Sequence, residues 1–221
     1  MTAPVVREVE TPSGIGRLHT RRARSPIGTL LLGHGAGRGV DSPDLMVLAE
    51  NLPRHGITVA LFEQPWVVAG KKVAAAGPSL DAALVAAASW MRVRTPLIIG
   101  GRSAGARSAA RTANQLGASG CLLLSFPLHP VGKPEESRLA ELLKPTMTTV
   151  IIQGERDPFG RPEEFPGDRP DRDITVVPAA DHSLRVPKSA PISQAEVDTL
   201  ITEAVLEWIV AEVLGSRGVG E

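Results

Sequence analysis

The feature that most constrains the fold is a short apolar run that ends in a glycine-rich motif. The run 97–99 ends at Gly100, the motif Gly101-Arg102-Ser103-Ala104-Gly105 follows, and an alanine-rich stretch with helical spacing comes next. In the order strand, sharp turn, helix, a Gly-x-Ser-x-Gly motif exposes its serine at the end of the strand. The two glycines omit side chains that would collide at such a turn. We therefore expect Ser103 to stand at a strand end.

Apolar runs and helical patterns alternate along the rest of the chain from residue 29. Continuous apolar runs predict strands that are buried on both faces, at 29–32, 57–62, 97–100, 121–125, 149–153 and 174–177. Between them, apolar residues at helical spacing predict helices from Ser42-Pro43, through 80–91, after Ser103, at about 134–143, and from the capping box Ser193-x-x-Glu196. This alternation predicts an α/β fold with a mostly parallel, doubly wound sheet.

The N-terminal part differs, because residues 5–9 and 15–20 flank a Pro-Ser-Gly turn and predict an antiparallel hairpin at the sheet edge. A length of 221 residues fits a single domain over 1–221, with a core from about 5 to 214. Only about 24 residues separate the runs 121–125 and 149–153, which predicts little or no cap domain. Residues 161–173 include eight charged residues and three prolines, and they predict a surface loop with at most one helical turn.

Composition excludes several classes of function. The chain has 24 basic and 24 acidic residues, so it lacks the basic excess of a nucleic-acid-binding surface. No apolar run is long enough to span a membrane, the N-terminus resembles no export signal, and no metal-ligand spacing occurs. We therefore expect no nucleic acid, membrane, metal or cofactor as partner. The single cysteine, Cys121, favours a reducing compartment, and hence the cytoplasm. No pattern indicates an oligomeric state.

A serine hydroxyl needs a base to become a nucleophile and an acid to orient that base. In sheets of this kind the three follow one another along the chain as serine, acid and histidine. Among the five histidines, His182 is the one that follows a plausible strand-end acid. The sequence therefore predicts His182 as the base for Ser103.

The preferred acid is Asp157, which lies in a Gly-x-x-Asp-Pro turn directly after a buried strand. Glu155, two residues earlier, is a competitor. The three aspartates of the charged loop 161–173 are expected to be solvated, and Asp181 is too close to His182 along the chain to orient its ring.

Further site residues follow from the loops at the strand ends. An oxyanion requires two backbone N–H groups, one after the nucleophile and one from the loop after an early strand, which predicts Ala104 and Ala36. Trp66 and His129 are candidates for contact with the substrate, although packing is the plainer explanation for both. Within the motif, Arg102 is predicted to pair with Glu63 and brace the turn. The helix after Ser103 is expected to direct Arg107 outward.

The motifs His34-Gly35-Ala36-Gly37, Gly101-Arg102-Ser103-Ala104-Gly105, Gly154-x-x-Asp157 and Asp181-His182-Ser183 resemble those of α/β-hydrolases, more narrowly of the small dienelactone-hydrolase-like branch. Together with Phe62-Glu63-Gln64-Pro65-Trp66 and Phe126-Pro127-Leu128-His129-Pro130, they look like a group of uncharacterised bacterial hydrolases. That group is similar to a testis-expressed animal protein and to the hydrolase-like domain of an animal chromatin-complex subunit. Dienelactone hydrolases proper use cysteine where this chain has Ser103, so their substrate does not carry over.

These observations predict a serine hydrolase that cleaves an ester or related acyl bond of a small substrate. Ser103 would attack, His182 would transfer the proton, Asp157 would orient His182, and Ala36 and Ala104 would hold the oxyanion. A non-catalytic interaction scaffold with the same fold is the alternative, and acyl transfer to an acceptor other than water is a third possibility.

Overall fold

A computed structural model describes residues 3–37, 39–167 and 171–215, and within them one eight-stranded sheet organises the molecule. The strands are β1 (Val5–Thr11), β2 (Gly14–Arg21), β3 (Gly28–Gly33), β4 (Ile57–Glu63), β5 (Leu97–Arg102), β6 (Gly120–Leu124), β7 (Thr149–Gly154) and β8 (Arg172–Val177). Their order is β1-β2-β4-β3-β5-β6-β7-β8. The pairs β1–β2 and β2–β4 are antiparallel and all others are parallel, which confirms the mostly parallel sheet with an N-terminal hairpin at its edge.

Helices cover both faces of this sheet. They are α1 (Pro43–Asn51), α2 (Pro65–Val68), α3 (Gly77–Met91), α4 (Ala104–Thr112), α5 (Leu139–Leu142) and α6 (Gln194–Trp208), with 3₁₀ turns at Leu52–His55 and Pro162–Glu164 and a π-helical end at Ile209–Leu214. Apolar residues of α1 and α6 pack on one face, and those of α3 and α4 pack on the other. The sheet is therefore doubly wound, as the alternation of elements predicts.

Strand β3 illustrates why the predicted strands are continuous apolar runs. Leu30 and Leu32 point into the core beneath α1 and α6, whereas Leu31 points into the core beneath α3 and α4. All three side chains are fully buried. Since successive residues of a strand face opposite sides, a strand covered on both sides needs apolar residues at every position.

Two boundaries differ from the sequence prediction. The helix expected over 134–143 is limited to α5, because the backbone N–H of Arg138 donates to the Leu128 carbonyl at 2.7 Å and ties the chain back to the loop that follows β6. Strand β8 begins at Arg172, two residues before the predicted run, so it shortens the charged loop 161–173. Positions 168–170 of that loop lie outside the described residues. Among the described residues, the connection from β6 to β7 contains no cap domain.

Candidate active site

Ser103 occupies a sharp turn between β5 and α4. Its backbone is in an unusual conformation with φ 53° and ψ −110°, and its N–H donates to the Leu124 carbonyl at 3.0 Å. A positive φ is costly for a residue other than glycine and typically persists where the surrounding structure enforces it. A Cβ atom at Gly101 would lie 2.6 Å from the Gly33 carbonyl oxygen, and one at Gly105 would overlap the same group. The two glycines therefore allow α4 to approach β3 and hold the turn.

The structure brings together three of the side chains that the sequence singles out. The Ser103 hydroxyl lies 2.9 Å from Nε2 of His182, and Nδ1 of His182 lies 2.7 Å from Oδ2 of Asp157. Because an ionised carboxylate only accepts, Nδ1 carries the hydrogen that binds Asp157, and Nε2 is left to accept from the Ser103 hydroxyl. This arrangement allows the imidazole to take the hydroxyl proton.

The Asp157 carboxylate is fully buried and has several hydrogen-bond donors. Besides His182, its Oδ2 accepts from Nε2 of Gln153 at 2.9 Å, and its Oδ1 accepts from the backbone N–H of Phe159 at 2.8 Å. Gln153 is the penultimate residue of the fully buried strand β7, so it approaches Asp157 from the sheet. Gln153 is not among the site residues predicted from the sequence, although a polar residue near the end of an apolar strand is a signal for such a role.

The competing acid, Glu155, has a different partner. Its Oε2 accepts from the backbone N–H of Ala179 at 2.6 Å, in the turn that leads from β8 towards His182. Glu155 is exposed, whereas Asp157 is buried. Of the two carboxylates, Asp157 is the one that reaches the His182 ring.

The two predicted oxyanion donors lie beside Ser103. Ala36, in the loop after β3, and Ala104, the first residue of α4, line the same pocket as Ser103. The preceding His34 is buried, and its Nε2 accepts from the backbone N–H of Gln64 at 3.0 Å. His34 therefore fastens the Ala36 loop to the end of β4, and it does not line the pocket that contains Ser103.

The predicted pairing of Arg102 with Glu63 is wrong. These residues lie at the ends of β5 and β4, which β3 separates, and two strand spacings amount to about 10 Å. Nε of Arg102 instead lies 3.0 Å from Oδ2 of Asp44 in the first turn of α1, and Glu63 pairs with His19 of β2 at 3.1 Å. The helix covering the sheet, and not a neighbouring strand, supplies the countercharge for Arg102.

Arg102 also contacts the segment that carries the candidate base. Its Nη2 donates to the His182 carbonyl oxygen at 2.9 Å and to the Ser183 hydroxyl at 3.2 Å. Arg102 and Asp44 are both buried. Burial raises the pKa of Asp44, and the positive charge of Arg102 opposes that rise. One guanidinium thus links the turn of Ser103, helix α1 and the His182 segment.

The pocket around Ser103 has a volume of about 520 Å³ and includes residues that the sequence analysis missed. The Phe159 ring lies against the His182 ring, with centroids 4.3 Å apart and planes tilted by 37°. Arg138 lines the pocket, as does Arg107, which was expected to point outward. Arg138 directly precedes α5, within the segment 134–143 for which the sequence predicts a helix.

The two predicted substrate contacts lie elsewhere. Trp66 lines a separate pocket of about 650 Å³ beside the β1–β2 turn, where its ring meets the edge of His34. His129 is buried and binds the Pro130 carbonyl at 2.8 Å and Glu164 at 2.9 Å. Neither residue lines the pocket that contains Ser103. Trp66 packs against His34 and His129 joins two loops, so a packing role fits the position of each residue better than contact with the substrate.

Within residues 3–37, 39–167 and 171–215, no group of three or more His, Cys, Asp or Glu side chains could hold a metal ion. In the same part of the chain, every helix is too short or too polar to cross a membrane. Cys121 is buried in β6, and burial raises the pKa of its thiol to about 12. The Cys121 thiol is therefore no candidate for the nucleophile of this site.

Comparisons with known proteins agree with this architecture. A family model described as an alpha/beta hydrolase domain matches residues 26–210. No curated protein matches the chain by sequence.

Solved structures resemble the fold over nearly its whole length. A serine hydrolase without a lid from Xanthomonas campestris is 18% identical, with a TM-score of 0.73 over 94% of this chain and 96% of that one. A dienelactone hydrolase from Anabaena variabilis is 16% identical, with a TM-score of 0.72 over 96% and 100%. Est1E from Butyrivibrio proteoclasticus, solved with ferulic acid bound, is 13% identical, with a TM-score of 0.73 over 94% and 99%. At these identities the likeness establishes the fold.

Proposed function

The chain belongs to the alpha/beta hydrolase family, and from that premise we propose that it is a serine hydrolase acting on an ester or related acyl bond of a small substrate. The observation that carries the proposal is the continuous hydrogen-bonded path from Ser103 through His182 to Asp157, with distances of 2.9 and 2.7 Å. The strained backbone of Ser103 supports the same role, because it holds the hydroxyl at the pocket.

In the proposed reaction, the Ser103 oxygen attacks the acyl carbon while its proton passes to Nε2 of His182. Asp157 keeps the imidazole oriented and stabilises the resulting imidazolium. The backbone N–H groups of Ala36 and Ala104 bind the oxyanion, and each such donor contributes about 10²–10³ in kcat. The bond to the leaving alcohol breaks as that alcohol takes the proton from His182. Water, activated by the same histidine, then releases the acyl group as an acid and regenerates Ser103.

The open pocket fits this proposal. Only α5 and turns join β6 to β7, so no inserted domain covers Ser103 in the described residues. The neighbour from Xanthomonas campestris is itself a serine hydrolase without a lid. We propose a small or surface-presented acyl substrate on these grounds, and a cytoplasmic location on the ground that the one thiol, Cys121, is unpaired and buried. The narrower relationship to the bacterial group similar to the chromatin-complex and testis-expressed proteins remains a prediction.

The decisive test uses a fluorophosphonate probe and a panel of 4-nitrophenyl esters that differ in acyl-chain length. Wild-type protein is expected to be labelled at Ser103 and to turn over at least one ester, and Ser103→Ala is expected to lose labelling and about 10⁴–10⁶ in kcat. Ser189→Ala, at an exposed loop position, is the matched control and should behave as wild type. If folded wild-type protein is not labelled, the non-catalytic scaffold is favoured. If acyl-enzyme forms and is released faster by added alcohols or amines than by water, acyl transfer is favoured.

A further inference from the structure

The charged residues that line the pocket around Ser103 are all of one sign. Of the residues that the structure describes, eleven line this pocket, three of them are arginines, and none is an aspartate or glutamate. The arginines are Arg102, Arg107 and Arg138. The N-terminus of the nine-residue helix α4 begins at Ala104 beside the nucleophile and adds a partial positive charge at the same place. A negatively charged group entering this pocket meets no like charge on its walls.

Two of the three arginines already have carboxylate partners. Arg102 pairs with the buried Asp44 at 3.0 Å. Arg107 donates from Nε and Nη2 to the two oxygens of Glu141, each at 2.8 Å, in the bidentate geometry that carboxylates favour. Glu141 also accepts from Arg111 at 2.9 Å, so its single charge is shared by two guanidinium groups.

Arg138 is different, because no described carboxylate forms an ion pair with it. Its Nη1 donates to the Pro127 carbonyl oxygen at 3.0 Å, which anchors the side chain at the pocket wall. Its backbone N–H donates to Leu128, so the chain at Arg138 is fixed as well. The guanidinium has five N–H donors, and this anchor occupies one nitrogen and leaves Nε and Nη2 for a ligand.

The surroundings of Arg138 favour an added negative charge. Its side chain is partly buried, and burial together with the nearby charge of Arg107 lowers its pKa, although the more weakly acting carboxylates of Glu141 and Glu136 oppose that decrease. A guanidinium remains charged at neutral pH in spite of such a shift. An anion bound between Arg138 and Arg107 would compensate the Arg138 guanidinium for its lost hydration. It would also reduce the repulsion between the two guanidinium groups.

Resting on the proposed function, we infer that the preferred substrates are esters whose acyl or alcohol part carries a carboxylate or phosphate group, which Arg138 binds in the pocket beside Ser103. The planar fork of arginine matches both kinds of anion. The anion takes no part in the reaction: Ser103 attacks the ester carbon, and the bond that breaks is the ester bond. Arg138 thus determines specificity and holds the substrate while His182 transfers the proton.

The experiment compares anionic and neutral esters that share the 4-nitrophenolate leaving group, with the spontaneous hydrolysis rate of each substrate measured and subtracted. The substrates are 4-nitrophenyl hydrogen glutarate, its neutral methyl ester, and the 4-nitrophenyl ester of 3-phosphonopropanoic acid. For wild-type protein we expect kcat/KM to be at least about tenfold higher for an anionic ester than for the neutral one, as a charge-assisted hydrogen bond would give. Arg138→Gln should reduce this ratio by about tenfold, and 1 M salt should also reduce it. Arg7→Gln, on the exposed edge strand β1, is the matched control and should leave the ratio unchanged.

The glutarate and phosphonate arms decide which anion the site prefers. A wild-type ratio near one for both anionic esters, or a high ratio that survives Arg138→Gln, would overturn the inference. If no ester is hydrolysed and Ser103 is not labelled, the proposed function fails, and the anion site is then tested by calorimetry with glutarate and inorganic phosphate. Binding by wild-type protein that Arg138→Gln abolishes would uphold the site, and equal or absent binding in both would overturn it.

Discussion

Replacing Arg102 with methionine tests whether one guanidinium links the parts of the candidate site. Methionine keeps much of the volume and the unbranched stem of arginine but has no charge and no donor. The change leaves the Asp44 carboxylate buried without its countercharge and removes the hydrogen bonds to the His182 carbonyl and the Ser183 hydroxyl. The fold of the sheet does not depend on these contacts, so the variant should remain a folded protein of lower stability.

The expected loss follows from the burial of both partners. Removing one member of a buried ion pair costs about 3–5 kcal/mol, and each lost hydrogen bond adds about 1 kcal/mol. Protonation of Asp44 would remove its buried charge and so reduce this cost. We therefore expect the free energy of unfolding to fall by about 4 kcal/mol. For a chain of this size that corresponds to a decrease in Tm of roughly 8–16 °C.

The pH dependence of stability shows the direction of the electrostatic contribution from Arg102 and Asp44. Burial raises the folded-state pKa of Asp44 above its ordinary value of 3.8, and the positive charge of Arg102 opposes that rise. In Arg102→Met this charge is absent, so the folded-state pKa of Asp44 should be higher than in wild type. A carboxyl with a raised folded-state pKa binds its proton more tightly when folded, so stability falls as the pH rises from about 4 through that pKa. The deficit of Arg102→Met relative to wild type should therefore be larger at pH 7 than at pH 5.

Urea denaturation at the two pH values, followed by circular dichroism, measures these differences. The double variant Arg102→Met/Asp44→Asn should recover at least half of the deficit at pH 7, because the amide removes the buried charge. If Arg102→Met costs less than about 1 kcal/mol, the pair is not the stabilising contact that its burial implies. A deficit that is the same at both pH values and that Asp44→Asn leaves unchanged would refute the electrostatic explanation altogether.

Two further substitutions test the turn of Ser103 and the support of the acid. Gly105→Ala should destabilise the protein by about 3 kcal/mol or more because its Cβ would overlap the Gly33 carbonyl. Gly37→Ala should have little effect, since no described atom beyond its own chain neighbours lies within 4 Å of the added Cβ. Thermal melts compare the two variants. A Gly105→Ala protein as stable as Gly37→Ala would show that α4 can move away from β3. Gln153→Leu should lower kcat about tenfold with KM nearly unchanged, because Gln153 donates to Asp157 outside the substrate pocket. Steady-state kinetics on 4-nitrophenyl acetate measure this, and a change in KM alone would count against an orienting role.

Most of the fold could be predicted because its signals are local. A strand buried on both faces must be apolar at each position, so Leu30, Leu31 and Leu32 reveal β3 without knowledge of their neighbours. The start of α6 is likewise local, since Ser193 and Glu196 bond to each other's backbone N–H groups within one turn. The predicted helix at 134–143 failed for the opposite reason. Its residues form a helical pattern, but a hydrogen bond from Arg138 to Leu128, ten positions earlier, takes precedence over most of it.

The same distinction between local and distant signals explains which parts of the candidate site could be predicted. The proximity of Ser103, His182 and Asp157 was predictable because acyl-transfer chemistry supplies a rule for their order along the chain and because parallel strands bring their carboxyl ends to one edge of the sheet. No such rule predicts the partners of Arg102. Its contact with the His182 carbonyl spans 80 positions in the sequence, and its pairing with Asp44 depends on which side of β5 the first turn of α1 covers. Glu63 was a reasonable partner along the sheet, but the sheet places it one strand too far away. Arg102 lies next to Ser103 and bonds to the segment of His182, so it joins parts of the candidate site. Its partners come from other layers of the fold, and sequence spacing carries the least information about such contacts.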